Sequence, residues 1–403
     1  MDFNDTPEEA KFRVKAAAWL HENKLTDTEK EGLDIIAQAK LWQKRKADAG
    51  WSCIRWPKKY GGRDASAIEQ VIWGQEEAKI KPPASMLFMV GQGMGGPTMM
   101  TWATEEQKQK HIPRMASGEE IWCQLFSEPA GGSDLAALRT KAERDGDEWI
   151  VNGQKIWTSM AQHAHYGILV LRTDPEVPKH KGLTYFYIDM KSPGIEIKPI
   201  KQMSGASGFN EVFFINVRVP DSQRLGKVGQ GWEVALTTLM NERASIGGGG
   251  SSAGFKTLMK LAEEVYIDDQ PAIKNHVVRA KLADWYVQES GLKYTGLRSV
   301  TALSKGEAPG PESSITKLVA ASKTQDLSSF AIDLMEQAGA IWTPGVNRDD
   351  NLFQASYMSA PGFRIAGGTD EIMANIIAER VLGMPQEPRL DKGIPFSEVP
   401  SSK

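Results

Sequence analysis

The sequence predicts an α+β fold in which a β-domain lies between two helical ones. Three observations carry this expectation. Apolar residues recur at helical spacing over residues 1–119, alternate over residues 120–228, and return to helical spacing over residues 229–384. The middle segment holds Asn152-Gly153 between Trp149-Ile150-Val151 and Lys155-Ile156-Trp157, the strongest short-range hairpin signal in the chain. With 403 residues the chain exceeds one ordinary core, so two or three packed units are expected.

In the first segment Thr6 precedes Pro7-Glu8-Glu9, an N-cap followed by acids where the helix dipole favours them. Ile35-Ile36 and Leu41-Trp42 continue the helical spacing, Pro57 and Gly61-Gly62 break it, and Thr104-Glu105-Glu106-Gln107 marks another helix start. In the middle segment β-type runs cover residues 166–170, 183–188, 195–200 and 212–217, punctuated by Pro193 and Pro220. Beyond Gly231 a helix begins over residues 232–240, and Gly247–Gly250 interrupts or opens its far end. Long helices are expected over residues 272–303, 314–339 and 369–382, with a loop at Pro309-Gly310-Pro311. Residues 385–403 are polar and Pro-rich and read as an extended or mobile tail.

The net charge of −3 argues against a nucleic-acid surface, which needs concentrated basic charge. No run approaches the roughly 20 apolar residues of a membrane span. Met1-Asp2-Phe3-Asn4-Asp5 lacks the basic-then-apolar order of a signal peptide, so a cytoplasmic location is expected. Cys53 and Cys123 give neither a disulfide framework nor metal-ligand spacing, and read as reduced, mostly buried thiols.

The chemistry concentrates in Ser127-Glu128-Pro129-Ala130-Gly131-Gly132-Ser133-Asp134 and in Asn152-Gly153-Gln154-Lys155-Ile156-Trp157-Thr158-Ser159. A glycine-rich turn with hydroxyls, beside a strand ending in Trp-Thr-Ser, offers backbone N–H groups and a flat aromatic wall to a planar polar ligand. Taken singly, Trp157 reads more readily as a buried hairpin aromatic. Gly367-Gly368-Thr369-Asp370-Glu371-Ile372 places a hydroxyl and backbone donors at a helix start, which by itself is an ordinary N-cap.

Together these segments resemble those that hold the flavin in acyl-CoA dehydrogenases. The resemblance implies an N-terminal helical domain, a middle β-barrel domain and a C-terminal four-helix bundle, with FAD as cofactor. By the same likeness Gln124, Phe126, Ser127 and Ser133 correspond to the turn that contacts flavin and acyl-CoA, Ser133 serving both. Trp157, Thr158 and Ser159 correspond to the flavin wall, and Thr369 and Glu371 to positions touching flavin or its dinucleotide. Many relatives carry Gln where Glu371 stands.

The reaction implied is α,β-dehydrogenation of an acyl-CoA, which needs a carboxylate base for the α-proton. Many relatives place it in a Glu-Gly-Thr tail motif, but Gly367 stands at that position here. A subset carries it on an earlier helix, and Asn241-Glu242-Arg243-Ala244 matches that site. Glu242 is therefore the candidate base and Arg243 a candidate substrate contact, against the plainer reading of Glu242 as a solvated, ion-paired helix residue. Asp370 and Glu371 are weaker candidates.

Most homotetrameric relatives carry an Arg-x-x-Phe segment that reaches a neighbour's flavin dinucleotide. Here residues 261–270 contain four acids and no arginine, which disfavours phosphate. Gln337-Ala338-Gly339-Ala340 likewise replaces a more usual paired-glycine segment. The expected assembly is a homo-oligomer using Arg279 or a lysine instead, or a heterotetramer of the steroid side-chain type whose partner supplies the arginine. An electron-transfer flavoprotein is the implied electron acceptor. A flavin oxidase or monooxygenase of the same fold, and a non-catalytic subunit, are the alternatives.

Overall fold

The computed structural model describes residues 5–83, 86–246, 253–305, 310–311, 313–342 and 351–400; the side chains of residues 243–246, 303, 304 and 313 are excepted. Contacts divide the chain into two units. The first comprises residues 1–200, 207–245 and 389–403, the second residues 201–206 and 246–388.

In the first unit the helices α1 (Pro7–Asn23), α2 (Asp27–Lys30), α3 (Ile35–Asp48), α4 (Ala67–Lys79), α5 (Gly96–Trp102) and α6 (Glu105–Ser117) come first. Local sequence sets their starts. Thr6 and Thr104 form full capping boxes with Glu9 and Gln107. An apolar nucleus of Trp19, Trp42, Trp51 and Trp73 joins α1, α3 and α4, with Trp51 and Trp73 stacked at 4.7 Å and the Arg63 guanidinium 3.5 Å from the Trp51 ring centre.

The strands that follow are β1 (Trp122–Leu125), β2 (Lys141–Asp145), β3 (Glu148–Ser159), β4 (Tyr166–Arg172), β5 (Leu183–Asp189), β6 (Ile195–Ile200), β7 (Phe209–Pro220) and β8 (Arg224–Leu225). They form one sheet ordered β6-β7-β3-β2-β4-β5-β8, with β1 added parallel to β4. The middle domain expected as a barrel is thus a sheet with an open hydrogen-bonded path ending at β6 and β8 among the described residues. Alternation sends Leu169, Leu171, Phe186 and Ile188 into one core and Ile168, Val170, Tyr185 and Tyr187 into the other. Both faces of β4 and β5 are covered, which explains why they read as continuous apolar runs.

The expected hairpin at Asn152-Gly153 is not there. Both residues lie inside the continuous strand β3, at a bulge where its register against β7 shifts. Gly153 has φ of 150°, and a Cβ there would stand 2.6 Å from the Thr140 hydroxyl, so the glycine answers a close backbone approach and not a turn. Asn152 instead exchanges bonds with Asn216 of β7: its Nδ2 donates to Asn216 Oδ1 at 3.0 Å, and its Oδ1 accepts from the Asn216 backbone N–H at 2.8 Å. The real turn joins β2 to β3, with Asp145 opposite Glu148 and Gly146 at φ 62°.

Helix α7 (Gly231–Ile246) closes this unit. Val234 and Ala235 enter the sheet's outer core. The Thr238 hydroxyl lies 2.9 Å from both the Tyr185 and the Thr98 hydroxyls, a buried chain that fixes the helix against β5 and α5.

The second unit contains α8 (Phe255–Glu264), a small hairpin of β9 (Tyr266–Ile267) and β10 (Gln270–Pro271), α9 (His276–Ser304), α10 (Ser313–Leu334), α11 (Leu352–Ile365) and α12 (Asp370–Ile376). Their shared core includes Leu258, Leu282, Trp285, Leu327 and Phe353. Helix α11 is absent from the sequence reading. It carries Pro361 in its interior, and its N-cap Asn351 makes no side-chain cap bond, so neither usual signal announces it. The expected interruption at Gly247–Gly250 lies outside the described residues, as does Pro309.

The tail, expected as extended or mobile, has little regular structure and is nonetheless held in place. Residues 389–400 do not dangle but pack on the first unit, where Phe396 is 8% exposed.

Candidate active site

Strands β1 and β3 build the site's frame. At the end of β1 the backbone carbonyl of Ser127 accepts from the Ile156 N–H at 2.9 Å, which lays the glycine-rich turn beside the end of β3. Beneath them sits a pair the sequence reading left unassigned. Lys155, fully buried, donates from Nζ to Glu128 Oε1 at 2.8 Å and to the carbonyls of Phe126 and Val170 at 3.0 and 2.9 Å. Glu128 also accepts from the backbone N–H groups of Arg139 at 2.6 Å and Thr140 at 2.9 Å. Burial opposes charge on both partners. On Glu128 the Lys155 ammonium and the backbone donors prevail and hold the carboxyl below its ordinary range, whereas burial draws the Lys155 ammonium down. The signal was available: Lys155 occupies an inward position of an otherwise apolar alternation.

Above this pair, Trp157 is 56% exposed and has φ of 59°, a left-handed conformation unusual for an aromatic residue. Phe209 meets it edge-on at 6.1 Å. A large ring held out of the core in a strained backbone suits a flat-faced ligand, and the structure overrules the buried-hairpin alternative. Ser127 and Ser159 are half-buried, while Ser133 is exposed. Thr158 and Phe126 behave differently from their neighbours. Thr158 is 1% exposed with its hydroxyl unpartnered, and Phe126 is 4% exposed with its ring edge-on to Tyr185. Their side chains serve the interior and are not exposed beside the Trp157 ring.

Gln124, on the same β1, donates from Nε2 to Glu242 Oε2 on α7 at 3.1 Å. The expected turn residue and the expected base are therefore in direct contact. Glu242 is half-buried, one turn beyond Thr238, so the hydroxyl chain that anchors α7 also fixes the height of the carboxylate. Arg243 follows it on α7, and its side chain is outside the described part of the structure.

The remaining expected segment belongs to the second unit. Thr369 caps α12, its hydroxyl oxygen accepting from the Ile372 N–H at 3.2 Å, and Gly367 and Gly368 take φ of 67° and 101°. Lys317 braces the turn, donating to the carbonyls of Gly368 and, at 3.2 Å, Arg364. Asp370 pairs with Arg364 at 2.6 Å and Lys317 at 3.8 Å, which gives it a structural role and removes it as a candidate base. Glu371 is exposed, and its own backbone N–H and the Thr369 hydroxyl hold its carboxyl below the ordinary range.

The acid-rich stretch near residue 265 forms the end of α8 and the β9–β10 hairpin, with Asp268 and Asp269 both left-handed in its turn. Gly339 is enclosed, since a Cβ would meet the Ile332 carbonyl at 2.2 Å. Cys53 and Cys123 are free, and burial pushes the Cys53 thiol up to about 12, which makes it a poor nucleophile. Among the described residues no helix is long and apolar enough to cross a membrane, and no cluster of His, Cys, Asp and Glu is arranged to hold a metal.

The donor set of the first unit fits FAD: an exposed indole face, with the half-buried serines Ser127 and Ser159 at the ends of the same two strands. Comparison with known proteins bears on the same point. Family models described as acyl-CoA dehydrogenase N-terminal, middle and C-terminal domains match residues 6–119, 123–217 and 229–382. The acyl-CoA dehydrogenase IpdE1 of Mycobacterium tuberculosis is 33% identical over 401 residues, spanning 93% of this chain and 98% of its own. Among solved structures, the ChsE4-ChsE5 complex from Mycobacterium tuberculosis aligns with a TM-score of 0.80 at 27% identity, covering 96% of this chain and 100% of the matched one. A steroid ACAD, Tcur3481-Tcur3483, aligns with a TM-score of 0.78 at 28% identity and the same coverage. With its three domains matched in order and IpdE1 similar over almost its full length, the chain belongs to the acyl-CoA dehydrogenase family, oxidoreductases that act on CH–CH bonds.

Proposed function

We propose that the chain binds FAD and dehydrogenates an acyl-CoA thioester to the trans-2-enoyl-CoA, with Glu242 as the base that removes the α-proton. The observation that carries this reading is the Gln124–Glu242 hydrogen bond, which ties the candidate base to the strand leading into the glycine-rich turn. FAD, when bound, supplies a two-electron acceptor for the β-hydrogen, and an electron-transfer flavoprotein then takes the electrons. Glu242 takes the α-proton onto its carboxylate, and Gln124 fixes the position of one carboxylate oxygen. Trp157 offers its ring as the flavin wall, and Ser127 and Ser159 offer hydroxyl donors. Ser133 and Arg243 contact acyl-CoA. Replacing Glu242 by Gln preserves charge-free shape, so the expected result is a flavin-loaded protein without dehydrogenase turnover. Turnover near the parent rate would reject Glu242.

A heteromeric assembly is the second reading. It is favoured by the acidic turn at Asp268-Asp269, where homotetrameric relatives carry a phosphate-reaching arginine, and by solved relatives whose names pair two components. In this form the chain contributes the base and the flavin-ring site, and a related subunit contributes the arginine. The visible absorption spectrum of the chain purified alone separates the two. A stoichiometric flavin band bleached by an acyl-CoA supports a self-sufficient homo-oligomer, and a colourless protein that stays so with added FAD supports the partner.

A further inference from the structure

The last described residues return from the second unit to the first and close over two buried cations. The Phe396 N–H donates to the Val177 carbonyl and the Ser397 N–H to that of Pro175, each at 2.9 Å, while Pro395 bridges to Pro178. The Phe396 ring lies 3.6 Å from the Arg172 guanidinium. Arg172 is 4% exposed and gives its N–H groups to the carbonyls of Ala136 at 2.5 Å, Leu138 at 3.3 Å and Lys179 at 2.8 Å. Lys179, 3% exposed, bonds Asp134 at 2.6 Å on one side and Asp391 on the other. The Lys179 ammonium holds the Asp391 carboxyl below its ordinary range. Each cation therefore touches the tail with one face and residues 134–138 with the other. Those residues directly continue Ser133.

An apolar tail would cover this surface as well as a charged one. Two desolvated cations instead favour one register, because a slipped tail takes the Asp391 carboxylate from Lys179 and the Phe396 ring from Arg172. The Asp134 side chain is 55% exposed, so its pairing with a buried lysine restrains a turn that solvent alone would leave loose.

We propose that residues 389–400 act as a positioning clasp for the acyl-CoA turn: Asp391 through Lys179, and Phe396 through Arg172, hold Ser133–Leu138 in place and so tighten the binding of the CoA moiety. The clasp rests on the reading of Ser133 as an acyl-CoA contact. Asp391 and Phe396 are positioning residues and touch no reacting atom.

Two measurements on the full chain test this separately. The first is amide hydrogen exchange in the parent and in Asp391→Asn and Phe396→Leu, followed at Ala137 and Leu138, whose N–H groups close the short helical turn after Asp134. Exchange about tenfold faster is expected in both variants, with Asp391→Glu restoring protection. Unchanged protection in both overturns the clasp. The second is calorimetric titration with coenzyme A itself as the probe. The variants are expected to bind about tenfold more weakly, and, where turnover is measured, to raise KM with kcat within about twofold. Faster exchange with unaltered coenzyme A affinity overturns the functional half of the proposal. Ser133→Ala is the control: if it too binds coenzyme A like the parent, the assignment of Ser133 fails, while the exchange result stands alone.

Discussion

Replacing Lys155 by Met removes the cation beneath the glycine-rich turn and little else, since Met matches the length and apolar stem of lysine. Lys155 is fully buried and makes hydrogen bonds to Glu128, Phe126 and Val170. Its loss strands the Glu128 carboxylate, 7% exposed, with two backbone donors, and frees two buried carbonyls. Breaking a buried pair from one side costs about 3–5 kcal/mol, more than repacking a methionine recovers. The assay is urea unfolding at pH 7 followed by far-ultraviolet circular dichroism, with the midpoint shift converted through the slope. A second variant carrying Glu128→Met as well removes the uncompensated charge, so its loss is expected to be smaller than that of Lys155→Met alone. The deficit also has a pH signature. Glu128's folded carboxyl is depressed, so its contribution is present above its ordinary value of 4.5 and is lost as pH falls through the folded value. The gap between parent and Lys155→Met is therefore expected to narrow below about pH 4.5. A loss under about 1 kcal/mol at pH 7, or a double variant worse than the single, refutes the reasoning.

Three other outcomes follow from the same geometry. Trp157→Ala removes a ring that is 56% exposed, so unfolding stability is expected to fall by less than about 1 kcal/mol while flavin content drops severalfold; equal flavin retention in the visible spectrum contradicts the wall assignment. Gly153→Ala forces a Cβ to within 2.7 Å of Thr140 at φ 150°, and is expected to cost at least about 2 kcal/mol in thermal unfolding, whereas a mere turn glycine would tolerate it. Asp221, hydrogen-bonded by Arg224 and also by Trp149 against the cost of burial, titrates at about 2, below its ordinary 3.8. Its stabilisation is present above 3.8 and lost as pH falls toward 2, so Asp221→Asn is expected to flatten that part of a pH series of melting temperatures, and an unaltered slope contradicts it.

What the sequence made legible was whatever short-range chemistry fixes. Thr6, Thr104 and Thr369 announce helix starts because the capping hydroxyl and the residue it serves lie within one turn. The strands at β4, β5 and β6 were readable because burial on a sheet leaves a pattern of period two or an unbroken apolar run. Asn152-Gly153 misled because a glycine that admits a neighbouring backbone looks the same in sequence as one that turns the chain; Thr140, the neighbour in question, is distant in sequence. Helix α11 hid behind Pro361 and a missing cap. The Lys155–Glu128 pair, the Thr98–Thr238–Tyr185 chain and the docked tail join residues that only the fold brings together, so no local pattern contains them. Glu242 was found as the candidate base by likeness and by the absence of a tail glutamate; that it meets Gln124 is information only the structure holds.

The most direct test of the central claim is α-proton exchange from an acyl-CoA in deuterated water, observed by nuclear magnetic resonance with the flavin-loaded protein and its Glu242→Gln variant. A positioned base contributes about 10²–10⁴ in rate, so the parent is expected to wash deuterium into the α-position and the variant to be slower by at least about a hundredfold at unchanged flavin content. Exchange by Glu242→Gln within about threefold of the parent would show that another group takes the α-proton, and would contradict the account.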